Sequence, residues 1–108
     1  MRRAPPKSLP SLVEPGQKPV RPKDSGTLIV LRRQGEGLEV LMGRRARKAV
    51  FGGVFVFPGG KVDAADRSVG VASDLAPDVL TRISKDQRRA RGFSVAAVRE
   101  TFEETGLL

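Results

Sequence analysis

Glu100, Glu103 and Glu104 stand at i, i+3 and i+4 within the run Val98-Arg99-Glu100-Thr101-Phe102-Glu103-Glu104-Thr105-Gly106-Leu107. On a helix that spacing gathers three carboxylates on one face. Acids stacked so closely repel one another, and a hard divalent cation, Mg2+ or Mn2+, is the simplest species that offsets the repulsion. The plainer alternative is a solvated acidic face on which Arg99 pairs with Glu103 four residues on.

The flanking residues set the limits of such a helix. Ser94 suits an N-cap, Val95-Ala96-Ala97-Val98 favours helix or burial, and Gly106 stands where a left-handed residue ends the run. The expected helix spans 95–105. Ala97, Val98, Thr101, Phe102 and Thr105 then pack inward on or beside the face opposite the acids.

A second segment strengthens the case for chemistry. Val54-Phe55-Val56-Phe57 has β-strand character and stops at Pro58-Gly59-Gly60, followed by Lys61-Val62-Asp63-Ala64-Ala65-Asp66. Two glycines let backbone amides and carbonyls approach a metal or a phosphate closely. A strand, a glycine turn and an acidic helix make a plausible diphosphate site, although a lone Pro-Gly-Gly is more often only a tight turn.

Taken together, these residues closely resemble the Nudix hydrolase signature, in which a Gly, five residues and an acid are followed by Arg-Glu-apolar-x-Glu-Glu-x-Gly-apolar. Gly60 and Asp66 match the first half, and Arg99 through Leu107 match the second. Three departures stand out. Asp66 replaces the usual Glu, which in the family pairs with the box arginine, here Arg99. Thr101 stands at an aliphatic position. Residues 67–98 separate the acid from Arg99 where the family has seven residues, so an insertion occupies about 67–93.

An interrupted box preceded by Phe-Pro-Gly-Gly is similar to the branch of the family that includes coenzyme A diphosphatases. The resemblance implies an α/β fold, the Nudix-type α/β/α sandwich around a mixed β-sheet. It implies a divalent-metal-dependent diphosphatase of nucleoside diphosphate-linked compounds, with coenzyme A or acyl-coenzyme A as candidate substrates. Gly59, Glu100, Glu103 and Glu104 would hold Mg2+ or Mn2+, which would neutralise the diphosphate and activate an attacking water. Glu100 or Glu104 would orient or deprotonate that water. Asp66, Arg99 and Gly106 would support the box.

Substrate contacts are expected from Gly60 and Lys61, and from the basic stretch Arg44-Arg45-Ala46-Arg47-Lys48, which follows a β-type run. Clustered cations beside a phosphate site attract anions, and Arg bonds phosphate in parallel pairs. Arg44 and Arg45 are the selected candidates, against the alternative of solvated surface charge.

The remaining residues supply the frame. Within the insertion, Pro77-Asp78-Val79-Leu80-Thr81-Arg82-Ile83-Ser84 reads as a helix with proline in its first turn, followed by a basic run at 85–91. Thr27 to Leu31 reads as a buried strand and Leu38 to Met42 as its hairpin partner, joined through Gly35-Glu36-Gly37. Residues 1–24 contain six prolines and almost no apolar periodicity, and are expected to form a disordered or polyproline-like basic tail. Residues 25–108 then form the N-terminal part of the domain, with the later strands and final helix expected to be missing.

Composition narrows the classes further. The chain has 108 residues, a formal charge of +8, and neither cysteine nor histidine, so disulfides, thiolate metal sites and a histidine base are excluded. Any metal chemistry must run on carboxylates. No segment approaches the roughly 20 apolar residues of a membrane span, so the cytoplasm is the default location and no membrane partner is expected. Five Phe, with no Tyr or Trp, offer little platform for base stacking, so nucleic acid is an unlikely partner and a small-molecule diphosphate the expected one. A non-catalytic Nudix-fold binding module and a truncated inactive fragment are the alternatives.

Overall fold

The computed structural model describes residues 16–46 and 52–107. The expectations for 1–15, and those for Arg47 and Lys48, lie outside these residues. Within 16–24 the chain has no helix or strand.

Gly26 brings the two principal elements together. It lies in β1 (Ser25–Thr27), and a Cβ at this position would sit 2.3 Å from the Phe93 carbonyl oxygen and 2.8 Å from the Ala97 nitrogen. Strand backbone therefore rests directly on the backbone of α2 (Gln87–Thr105). Such an approach needs small residues on the helix, and the buried positions of α2 are Ala90, Gly92, Ala96, Ala97 and Thr101. The Thr101 hydroxyl satisfies itself on the Ala97 carbonyl at 2.7 Å.

Among the described residues, six short strands form three two-stranded antiparallel ladders. β1 pairs with β6 (Gly59–Lys61), β2 (Leu31–Gln34) with β3 (Gly37–Val40), and β4 (Gly43–Arg44) with β5 (Phe55–Val56). Gly35, at φ 57°, closes the β2–β3 hairpin. The described residues thus combine strands and helices, but they contain no parallel pair, whereas a mixed sheet was expected.

Burial departs from expectation in two places. Leu31 is 55% exposed and Ile29 is also open to solvent, although Thr27 to Leu31 was expected to be a buried strand. Helix α2 covers the β1–β6 pair, and the hairpin projects beyond it. Likewise Val98, Phe102 and Thr105 are exposed, and only Ala97 and Thr101 of the expected inward face are buried.

The helices also redraw the insertion. Pro77–Ile83 is helical as expected and is labelled α1, with Leu80 buried. The expected N-cap at Ser94 is corrected: α2 starts at Gln87, eight residues before the expected start at Val95. Asp86 caps it, its carboxylate accepting from the amides of Arg88 and Arg89 at 3.0 and 3.2 Å, while the Ser94 hydroxyl bonds back to the Arg91 carbonyl. Arginine, alanine and glutamine carry the helix through Gly92. Residues 87–91 of the basic run are therefore the first turn of the acid-bearing helix, preceded by Lys85 and the cap Asp86. At the other end Gly106, at φ 69°, terminates α2 with its amide on the Phe102 carbonyl at 2.8 Å.

Candidate active site

The register of β1 with β6 sets the direction of the backbone groups at the glycines. The Leu28 amide bonds to the Pro58 carbonyl, and the Val62 amide to the Asp24 carbonyl. By the alternation of an antiparallel ladder, Gly59 and Lys61 then point their backbone groups away from β1. Both find partners on α2. The Gly59 amide lies 3.4 Å from Glu104 Oε2, and the Lys61 carbonyl accepts from Arg99 Nη2 at 3.0 Å.

Glu100 packs over the second glycine. A Cβ on Gly60 would lie 2.3 Å from Glu100 Cδ and 2.6 Å from each carboxylate oxygen. The Glu100 carboxylate therefore occupies the space that a side chain at position 60 would take, and keeps that place only while position 60 is glycine. Helix geometry explains the placement: three residues of α-helix put Glu100 about 60° around the axis from buried Ala97, beside the packed face rather than opposite it. The expectation of acids opposite the buried face is corrected accordingly. Ser25 braces the same strand, its hydroxyl donating to the Gly60 carbonyl at 2.8 Å.

Arg99 organises the other side. Its Nε and Nη2 donate to Asp66 at 2.9 and 3.0 Å, and its Nη1 donates to Glu100 and to Glu103, both at 3.1 Å. Asp63 adds an ion pair at 3.4 Å. Asp66 sits in a 3-10 turn, Ala64–Arg67, and is 2% exposed, with one oxygen also accepting the Asp63 amide at 2.8 Å. The Arg99 hydrogen bonds hold the Asp66 carboxyl below its ordinary value, against the opposing effect of burial, and the same bonds raise the guanidinium further above its already high one.

A cavity of about 650 Å³ opens beside the glycines, lined by Ser25, Thr27, Arg44, Arg45, Gly59, Gly60 and Glu104, with Phe55 and Phe57 on its wall. The structure thus brings Arg44, Arg45, Gly59, Gly60 and Glu104 to one opening. Glu100 adjoins it over Gly60. Glu103 turns to Arg99, and Lys61 is exposed and joins through its carbonyl alone. No three metal-binding side chains converge as one group among the described residues. The donors nevertheless suit a hard divalent cation, being carboxylate and carbonyl oxygens, and the space a Gly60 Cβ would fill is held by one of those carboxylates.

Sequence reasoning did not single out Ser25, Thr27, Asp63, Phe55 or Phe57 as site residues. The signal for the hydroxyls was the i, i+2 spacing of Ser25 and Thr27, which gives them one face of a strand. No helix among the described residues is long and apolar enough to cross a membrane. Comparison with known protein families, curated proteins and solved structures finds no match to this chain.

Proposed function

We propose that this chain is a divalent-metal-dependent hydrolase of nucleoside diphosphate-linked compounds, of the Nudix type, with coenzyme A and acyl-coenzyme A among the substrates to be tried. The observation that carries the proposal is the seating of Glu100 and Glu104 on the Gly59–Gly60 backbone, at a cavity walled by Arg44 and Arg45.

Each group has a task in this scheme. The arginines draw the anionic substrate into the cavity. Gly59, Glu100, Glu103 and Glu104 would hold a divalent ion, which would supply Lewis acidity toward the diphosphate. Glu104, which lines the cavity, accepts the proton of the attacking water, while Arg99 keeps Glu100 and Glu103 side by side. Asp66 steadies Arg99 from the buried side.

The test is release of phosphate or nucleoside monophosphate from a panel of diphosphate compounds, coenzyme A included, with and without Mg2+ or Mn2+. Metal-dependent cleavage is expected, with Glu104→Gln removing most of it while the fold persists. Unchanged turnover in Glu104→Gln rejects the assignment. A non-catalytic binding module is the second possibility, favoured by the turn of Glu103 toward Arg99. It is the outcome if metal and nucleotide bind but nothing is cleaved.

A further inference from the structure

Arg44 and Phe55 are directly opposed across the β4–β5 ladder. The guanidinium carbon lies 5.9 Å from the centre of the Phe55 ring, and Arg44 Nε donates to the Gly53 carbonyl at 3.3 Å. Both residues line the cavity that contains Gly59 and Glu104, and the ring is 63% exposed. The exposed Phe55 side chain thus offers apolar surface at the cavity wall, beside a cation.

A second cation–aromatic pair among the described residues makes an instructive contrast. Arg89 lies 5.7 Å from the Phe93 ring, but its guanidinium is committed to Asp24 through two hydrogen bonds of 2.9 and 2.8 Å. That pair ties α2 to the segment before β1. Among the described residues the Arg44 guanidinium makes no ion pair, and its hydrogen bond to the Gly53 carbonyl stays within the segment between β4 and β5.

We infer that Arg44 and Phe55 form a stacking platform for a planar heteroaromatic ring carried on the phosphate-bearing ligand, a nucleotide base. The inference rests on the hydrolase proposal for the neighbouring phosphate site, and it assigns Arg44 to the base rather than to a phosphate. Stacking suits this pair because an aromatic face and a guanidinium plane both accept a flat π system without selecting its hydrogen-bonding edge. Arg45, Gly59 and Gly60 then remain on the phosphate side of the same cavity.

The deciding experiment is metal-free calorimetric titration of the full chain with adenosine 5′-monophosphate and, separately, ribose 5-phosphate. The platform requires the nucleotide to bind about tenfold more tightly than the sugar phosphate. Phe55→Ala and Phe55→Leu should both erase that preference while leaving ribose 5-phosphate affinity unchanged, and leucine preserves apolar bulk against any loss of fold. In the unmodified chain, the Phe55 ring protons should shift on addition of the nucleotide and not of the sugar phosphate. Equal affinities, undetectable nucleotide binding at millimolar concentration, or a preference that survives Phe55→Ala would each overturn the platform. Metal-dependent hydrolysis without nucleotide preference removes this inference alone, whereas preference without hydrolysis removes the catalytic proposal and keeps the platform.

Discussion

Asp66 and Arg99, 33 positions apart, grip each other through two nearly equal hydrogen bonds of 2.9 and 3.0 Å. The fork of the guanidinium matches the two carboxylate oxygens, a geometry that a lysine cannot reproduce. This contact closes the loop that carries α1, and it sets Arg99 where its remaining nitrogen reaches Glu100 and Glu103. Asp66 and Arg99 thus meet although 32 residues separate them in the chain.

Replacing Asp66 with Asn should cost about 2 kcal/mol, because the carboxylate is buried while Arg99 keeps some access to water. Urea unfolding measures the loss. A shift within experimental error would show that the pair contributes nothing to stability.

The same residue predicts an acid dependence. Its folded carboxyl titrates below the unfolded value of 3.8, chiefly through the Arg99 hydrogen bonds. The stabilisation is therefore fully present above the unfolded value and drains away as pH falls through the folded one. Unfolding curves collected between about pH 2 and 5 should converge for the wild type and Asp66→Asn at the acid end. Parallel curves would assign the acid sensitivity to other groups.

Two glycines should separate stability from function. In Gly60→Ala the obstructing group is the end of the flexible Glu100 side chain, so the fold should hold within about 1 kcal/mol while Mn2+ affinity and turnover fall. In Gly26→Ala the obstruction is helix backbone, and destabilisation of about 3 kcal/mol is expected. Denaturation paired with Mn2+ titration distinguishes the two, and equal effects on stability would contradict the close packing of β1 on α2.

Asp86→Ala should weaken α2 by about 1 kcal/mol, since its carboxylate serves two otherwise unpaired amides. Ser94→Ala should cost less, because the Ser94 hydroxyl bonds within the helix rather than capping it. Thermal unfolding of both variants checks the order, and a larger effect at Ser94 would return the helix start to that residue.

The local elements were legible where short-range chemistry dominates. Pro77 opened α1 and Gly106 closed α2, each by a backbone preference that needs no distant partner. The start of α2 was not, because Ser94 and Asp86 are both good caps and only the helical continuity of 87–93 decides between them. Burial of Ile29 was expected from its apolar run and that of Val98 and Phe102 from their helical position opposite the acids, yet exposure depends on what covers a residue, and among the strands α2 covers only the β1–β6 pair.

By itself the sequence determined the donor chemistry, carboxylates and backbone oxygens without histidine or cysteine, and the i, i+3, i+4 order of the acids along one helix. Only tertiary structure decided how that order divides: Glu100 and Glu104 against Gly60 and Gly59, Glu103 against Arg99. It also decided that Arg44 and Phe55 share a wall with the glycines. The physical reason is that helical spacing gives directions around an axis, whereas the partner met in each direction depends on strand register and on how closely β1 can approach α2.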